Sequence, residues 1–217
     1  MKVINSAGET VDFPAGGTVT MKQLVSKFEF IDGIKWEDGT PISAADIELF
    51  KNISCDPDSG ATTFITCDKT ASTEFTDSGY TQTWIPGVQD PLYFVPPWNG
   101  FYPSFQVLAD GRTLKDVPAK EWTTIPEIAE HPLSYGPYIL KEWVKGEKMV
   151  YAANPNWVFG APKSPNLVIQ FITPESAEAL LLGGEVDLLD SIDVRCRKQR
   201  RTHRCCHLGG APADGGQ

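Results

Sequence analysis

Among the 217 residues, a few groups have side chains and spacings that could do chemistry. Glu185 and Asp187 stand two apart, the kind of carboxylate pair that can divide acid and base work. Asp46 follows Ser43 by three positions, which is also the spacing of a helix capping box, and a cap is the reading adopted for it. His131 has no second histidine near it in sequence and precedes Pro132, a setting for a surface or capping residue rather than a base or ligand. Near the end of the chain, Cys196, His203, Cys205, Cys206 and His207 offer metal-binding atoms. However, adjacent Cys205, Cys206 and His207 cannot comfortably converge, and no C-x2–4-C separation accompanies the histidines. The sequence has no G-x-S-x-G, H-E-x-x-H or P-loop motif. No catalytic residue, metal site or cofactor is therefore assigned, and a hydrolase is a weak alternative.

Binding is a better use of what the chain contains. Between Asp90 and Val107, Tyr93, Phe94, Trp98, Phe101, Tyr102 and Phe105 are interleaved with Pro91, Pro96, Pro97 and Pro103. Four prolines exclude a long helix, since each removes a donor and blocks a turn. Two readings stay open: a loop that fills its own small core, or a wall of flat rings facing a ligand. The candidate ligand-binding residues on the second reading are Tyr93, Phe94, Trp98, Phe101 and Tyr102, with Tyr135 beyond them. Six tryptophans and a β-rich middle also suit a carbohydrate-binding β module. Cys55 and Cys67 flank the turn sequence Asp-Pro-Asp-Ser-Gly, so they form either a disulfide in an oxidising compartment or two small buried thiols.

The elements that must position these residues follow from local pattern. Glu9 to Gly17 reads as loop, Val19 to Leu24 and Lys27 to Ile31 as strands. Asp32-Gly33 and Glu37-Asp38-Gly39 read as turns around a short strand at Ile34 to Trp36. Ser43 begins a helix that should fade near Asn52, with Ile42 and Ile47 as its hydrophobic staple. Thr62 to Ile85 is β throughout. Thr124-Ile125-Pro126-Glu127 reads as a capping box for a short helix over Pro126 to Glu130. Leu167 to Ile172 should be a buried strand, Thr173 the cap of a helix stopped by Gly183, and Glu185 to Leu189 a further strand.

One stretch carries more than pattern. Tyr135 to Gly160, YGPYILKEWVKGEKMVYAANPNWVFG, predicts a hairpin of Tyr138 to Val144 and Lys148 to Ala153 around Lys145-Gly146, ended by Asn154-Pro155-Asn156. Its wording, G-P-Y-x-L-x-x-W-x-x-G-E then N-P-N-W, closely resembles the solute-binding proteins of bacterial ABC importers in the peptide/nickel family, family 5. Three further segments match in order: FIDGIKWEDGTPISAAD from Phe30 to Asp46, the looser run from Gly79 to Leu108, and VIQFITPESAEALLLGGEVD from Val168 to Asp187. The resemblance covers roughly residues 18–193.

That resemblance implies an α/β fold, a lobe like that of type II periplasmic binding proteins, with a β-rich inserted subdomain and the second lobe mostly missing. The expected organisation is a leader or loop over 1–17, a β-rich part of the first lobe over 18–120, its remainder over 121–172 ending at a hinge, the start of the second lobe over 173–194, and a tail over 195–217. It also implies a binding protein, with a peptide-like or other small solute and ABC permease subunits as partners. Its place would be periplasmic or at the cell surface, with membrane contact only through the transporter or a lipid anchor. In the family the Gly-Glu-x-Asp motif belongs to a helix-to-strand connection, so Glu185 and Asp187 are read as structural.

Charge agrees with the partners expected. The net charge is −9, but residues 195–217 hold six Lys or Arg against one acid, leaving 13 basic and 27 acidic groups before them. So acidic a body argues against nucleic acid as a partner. No stretch of about eighteen apolar residues exists to span a membrane. The N-terminus lacks the apolar core of a secretory signal, and the expectation is a chain that starts inside a longer protein. The tail, RCRKQRRTHRCCHLGGAPADGGQ, reads as an out-of-frame translation, a nucleic-acid arm or a metal tail; a frameshift or truncation is preferred.

Overall fold

A computed structural model describes residues 2–13 and 15–189. The chain divides into one unit of Met1–Ile169 and a second beginning at Gln170. In the first unit, β1 (Lys2–Ile4) and β2 (Thr10–Asp12) pair antiparallel. Residues 9–17 are thus not all loop. The Asn5 side-chain oxygen accepts from the amides of Ala7 and Glu9 at 3.0 and 2.9 Å, closing a turn that returns the chain as a strand.

Strand β3 (Val25–Glu29) lies beside a later hairpin in a three-stranded antiparallel sheet, and helix α1 (Ala44–Cys55) follows. The expected strand at Val19 to Leu24 is irregular. It still follows the same edge: Lys22 and Leu24 carbonyls accept from Gly87 and Trp84 amides at 2.9 and 3.0 Å. Regular pairing stops there because Pro86 has no donor to give. Ile34 to Trp36 makes only the single bridge Lys35 to Pro41. Helix α1 continues three residues beyond Asn52 and stops at Asp56, ahead of Pro57.

A short helix, α2 (Ile65–Lys69), interrupts the stretch expected to be all β. Two tethers favour it over a strand: Cys67 is bonded to Cys55, and the Thr70 hydroxyl donates to Thr66 O at 2.7 Å. Strands β4 (Thr70–Thr76) and β5 (Gly79–Trp84) then complete the sheet in the order β3-β5-β4. Central β5 buries alternate residues Tyr80, Gln82 and Trp84, as its sequence alternation requires.

No regular element longer than six residues occurs from Ile85 to Pro137. Two 3-10 turns, Leu114–Asp116 and Ala119–Thr124, were not signalled by periodicity. They nonetheless supply much of one core, in which Leu114, Val117, Trp122 and Ile125 pack against Leu49 and Leu108. Helix α3 (Pro126–Ala129) forms one residue shorter than expected, and without the predicted capping box. The Thr124 hydroxyl turns back to Glu121 O at 2.7 Å, and the Glu127 carboxylate accepts from the Ala109 amide at 2.9 Å, so both groups are engaged elsewhere.

The hairpin of β6 (Tyr138–Val144) and β7 (Lys148–Ala153) has the boundaries its sequence predicts. A register shift between Leu140 and Glu142 bends it. Asn154 is wholly buried after β7; its side chain donates to Gly136 O at 2.8 Å and accepts from the Asn156 amide at 2.9 Å. A third strand, β8 (Asn166–Gln170), joins the far side of β7. It was expected to be buried, yet Leu167, Val168 and Ile169 are 41%, 56% and 42% exposed. Apolar composition reports what a strand can tolerate. It does not supply the layer that would cover it.

In the second unit, α4 (Pro174–Leu182) follows Thr173 and ends at Gly183-Gly184. Glu185 to Leu189 is not a strand. The amides of Glu185 and Val186 return to Leu180 O at 2.9 and 3.4 Å, satisfying the carbonyl end of the helix instead of entering a ladder.

Candidate functional site

Trp36, Ser43 and Asp46, brought together by the turn and the first turn of α1, anchor the aromatic segment. Asp46 is fully buried. One carboxylate oxygen accepts from the Ser43 amide and hydroxyl at 2.9 and 3.2 Å, and from Trp36 Nε1 at 3.4 Å. The other accepts from the Ser104 amide and hydroxyl at 2.8 and 2.7 Å, and the Asp46 carbonyl accepts from the Tyr102 amide at 3.2 Å. A capping residue has thereby become a clasp on a loop 58 positions later in the chain. The local half was readable in sequence. The Ser104 half had no sequence signal.

From this clasp the rings spread in contacts that are edge-on except for the tilted pair of Tyr102 and Phe50. Phe101 lies 5.3 Å from Phe30 and 5.2 Å from Tyr135 between ring centroids. Tyr135 lies 5.4 Å from Trp36, which meets Phe105 at 6.4 Å. Tyr102 packs on Trp122 at 4.6 Å and Phe50 at 5.4 Å. Trp98 is only 3% exposed and packs with Ile47 and Tyr80; its Nε1 donates to Gln82 Oε1 at 2.9 Å. Tyr93 and Phe94 differ from all of these: they meet each other at 5.7 Å and are 55% and 65% exposed, between exposed Leu92 and Val95. The six candidate residues thus do not form one wall. Trp98 is core, Phe101, Tyr102 and Tyr135 are half-buried members of packed clusters, and Tyr93 and Phe94 are open to solvent.

Burial also sets the acidity of the tyrosines. Burial pushes the Tyr80 phenol up from 10.0 to about 12, opposed in part by the hydrogen bond that it donates to Trp98 O at 3.0 Å. The Tyr102 and Tyr135 phenols are raised as well, first by burial. A phenol whose folded pKa lies above its unfolded value stabilises the fold below the unfolded pKa, and that contribution is lost as pH rises through the window up to the folded pKa. Urea midpoints should therefore be flat toward pH 9 and fall between about pH 10 and 12. Phenolate absorbance should show a late-titrating group that Tyr80→Phe removes. A midpoint unchanged to pH 12 would contradict this assignment.

Cys55 and Cys67 are joined, linking the end of α1 to α2 with Cα atoms 5.7 Å apart. Closing so short a loop restricts the unfolded chain by roughly 2–3 kcal/mol. Both cysteines lie against the core of Ile47, Tyr80 and Trp98. His131, Glu185 and Asp187 are all exposed. Among the described residues, no cluster of three or more His, Cys, Asp or Glu could hold a metal ion. The candidate ligands at Cys196, His203, Cys205, Cys206 and His207 lie outside the described residues. Among those described, no helix is long and apolar enough to cross a membrane.

Comparison with known proteins places these features in a family. The model of bacterial extracellular solute-binding proteins, family 5, middle region, matches residues 18–199. The oligopeptide-binding protein OppA of Lactococcus lactis subsp. lactis strain IL1403 is 24% identical over 188 residues, covering 76% of this chain and 30% of OppA. The probable D,D-dipeptide-binding periplasmic protein DdpA of Escherichia coli K12 is 28% identical over 68 residues, 31% of this chain and 13% of DdpA. Among solved structures, the oligopeptide-binding protein AppA of Bacillus subtilis, in complex with a nonapeptide, superposes with a TM-score of 0.65 at 18% identity, over 85% of this chain and 36% of AppA. NikZ of Campylobacter jejuni, in complex with Ni(L-His), gives 0.59 at 24% identity, over 75% and 31%. The match to OppA thus takes in about a third of that protein's length. The fold is that of part of a type II periplasmic binding protein, and the chain belongs to family 5 of the bacterial extracellular solute-binding proteins.

Proposed function

We propose that this chain contributes to solute capture for an ABC importer, outside the cytoplasmic membrane, and that its solute is a peptide or another small molecule. The family match over residues 18–199 carries this reading. Relatives named for oligopeptides and for a D,D-dipeptide support the peptide class. Of the aromatic candidates, Tyr93 and Phe94 are best placed to meet a ligand, because their rings are exposed and stacked edge-on at 5.7 Å. Phe101, Tyr102 and Tyr135 would act by holding that segment's neighbours in place. The permease subunits of the importer are the protein partner on this reading, and no catalytic step is assigned.

Affinity should be low for this chain on its own. In a protein that closes two lobes over its solute, contacts from both sides act together, and water leaves only on closure. A micromolar site is worth about −8 kcal/mol; supplying part of its contacts leaves about millimolar affinity, since the cost of immobilising the ligand stays. Amide chemical shifts should therefore move saturably, at millimolar midpoints, when di- to pentapeptides are added, with Tyr93 and Phe94 among the residues that move. Substituting both by serine should weaken binding at least about tenfold. No response to any peptide, or a response to oligosaccharides alone, would overturn the proposal, the second outcome favouring a carbohydrate module.

A further inference from the structure

Within the aromatic segment, Trp98 and Phe101 are each held firmly, and only Asn99 and Gly100 join them. The Trp98 backbone is clamped by one hydroxyl: its amide donates to Tyr80 Oη at 3.2 Å, and its carbonyl accepts from the same group at 3.0 Å. Phe101 meets the rings of Phe30 and Tyr135. Asn99 is exposed, and among the described residues neither its side chain nor the Gly100 amide makes a hydrogen bond. Gly100 answers to packing, since a Cβ there would lie 2.3 Å from the Phe50 ring.

Of the chain's six asparagines, this one is followed by an amide nitrogen that is both unengaged and uncrowded. Asn154 precedes Pro155, which has no amide hydrogen. The amides that follow Asn5 and Asn156, those of Ser6 and Trp157, donate to Thr20 O and Asn154 O at 2.8 and 3.3 Å. Asn52 lies within α1 ahead of branched Ile53, and Asn166 opens β8 ahead of Leu167. A side chain on the following residue hinders approach to its nitrogen, and glycine has none.

We propose that Asn99 and Gly100 form a self-modification site, at which the chain converts its own asparagine to isoaspartate. The Gly100 nitrogen gives up its proton to base and attacks Asn99 Cγ. An N–Cγ bond forms, the Cγ–Nδ2 bond breaks, and ammonia leaves a cyclic succinimide behind. Water then opens the ring: cleavage at Cγ gives aspartate and cleavage at the main-chain carbonyl gives isoaspartate, with no change of oxidation state. Isoaspartate routes the backbone through Cγ, so an extra carbon and a new carboxylate enter between Trp98 and Phe101. Ring contacts at Phe101 can slide, but hydrogen bonds are lost on small displacements, so the Tyr80 clamp on Trp98 yields first.

The test is a peptide map of the full chain after days at mildly alkaline pH, once native and once in urea. In the native protein, conversion at Asn99 should run at least about tenfold faster than at any other asparagine, and within about tenfold of its own rate in urea. Asn99→Gln should abolish it, because the longer side chain closes its ring far more slowly, and should leave the urea midpoint unchanged at this exposed position. Gly100→Ala is no substitute for that control, since its methyl strikes Phe50. The isoaspartate form, separated chromatographically, should lose the late-titrating phenol of Tyr80. Freshly prepared Asn99→Asp, which adds the charge without the carbon, should keep it. Native conversion slower than that range, or matched at another asparagine, overturns the site. A late-titrating phenol retained in the isoaspartate form overturns its effect on the Trp98 clamp.

Discussion

Asp46→Ala is expected to lower the free energy of unfolding by about 3–5 kcal/mol, because it leaves several donors without their shared acceptor, at about 1–3 kcal/mol for each buried group left unsatisfied. Five donors converge on this carboxylate from three parts of the chain: Trp36, Ser43 and Ser104. Alanine would leave the amides of Ser43 and Ser104 and the indole N–H of Trp36 without an acceptor in a place where water does not reach. The two hydroxyls can rotate to new partners; the two amides and the indole cannot. Asp46→Asn should cost less, about 2–3 kcal/mol, because one oxygen still serves Ser104 or Ser43 but the amide nitrogen faces donors on the other side. Ser104→Ala removes only the hydroxyl bond and should cost about 1 kcal/mol. Urea unfolding followed by tryptophan fluorescence would rank the three variants. If Asp46→Ala loses less than Ser104→Ala, the carboxylate is not the clasp described.

Asp46 also shows how far local pattern reaches. Ser43 to Asp46 could be read because capping is a three-residue affair, and the hairpin of β6 and β7 because aromatic and β-branched residues sit on either side of Lys-Gly within 16 positions. The bond to Ser104 could not, because it joins positions 58 apart in a proline-rich segment without period. Leu114 was missed for a related reason: a 3-10 turn of three residues carries no amphipathic signal, yet this one buries its leucine completely. Thr124 failed in the opposite way. Its spacing to Glu127 is that of a capping box, but Glu121 O and the Ala109 amide captured the two side chains first. The candidate site followed the same division. Aromatic density located the segment, but only packing separates buried Trp98 from exposed Tyr93 and Phe94.

Gly79→Ala should be close to unfolding for this chain, with a loss of at least about 3 kcal/mol, whereas Gly33→Ala should cost only about 1–2 kcal/mol. Both glycines have positive φ, 152° at Gly79 and 78° at Gly33, so alanine is strained at either. Their surroundings differ. A Cβ on Gly33 meets nothing within 4 Å, so only the backbone strain remains. A Cβ on Gly79 would fall 2.0 Å from Phe28 O and 2.9 Å from Glu29 Cα, both on the backbone of β3. Gly79 pairs with Glu29 on one side and Thr76 on the other, at the start of the central strand of a three-stranded sheet. Backbone on β3 cannot swing aside as a side chain would, so the strand must separate there or β5 must shift. Either movement disturbs Tyr80, whose phenol bonds to Trp98 O and whose ring packs on Phe28 and Phe75. The late-titrating phenol should therefore disappear in Gly79→Ala, along with the near-ultraviolet signal of the Trp98 core, while Gly33→Ala keeps both. A Gly79→Ala protein with unchanged urea midpoint and unchanged alkaline titration would mean that β3 and β5 do not approach this closely in solution.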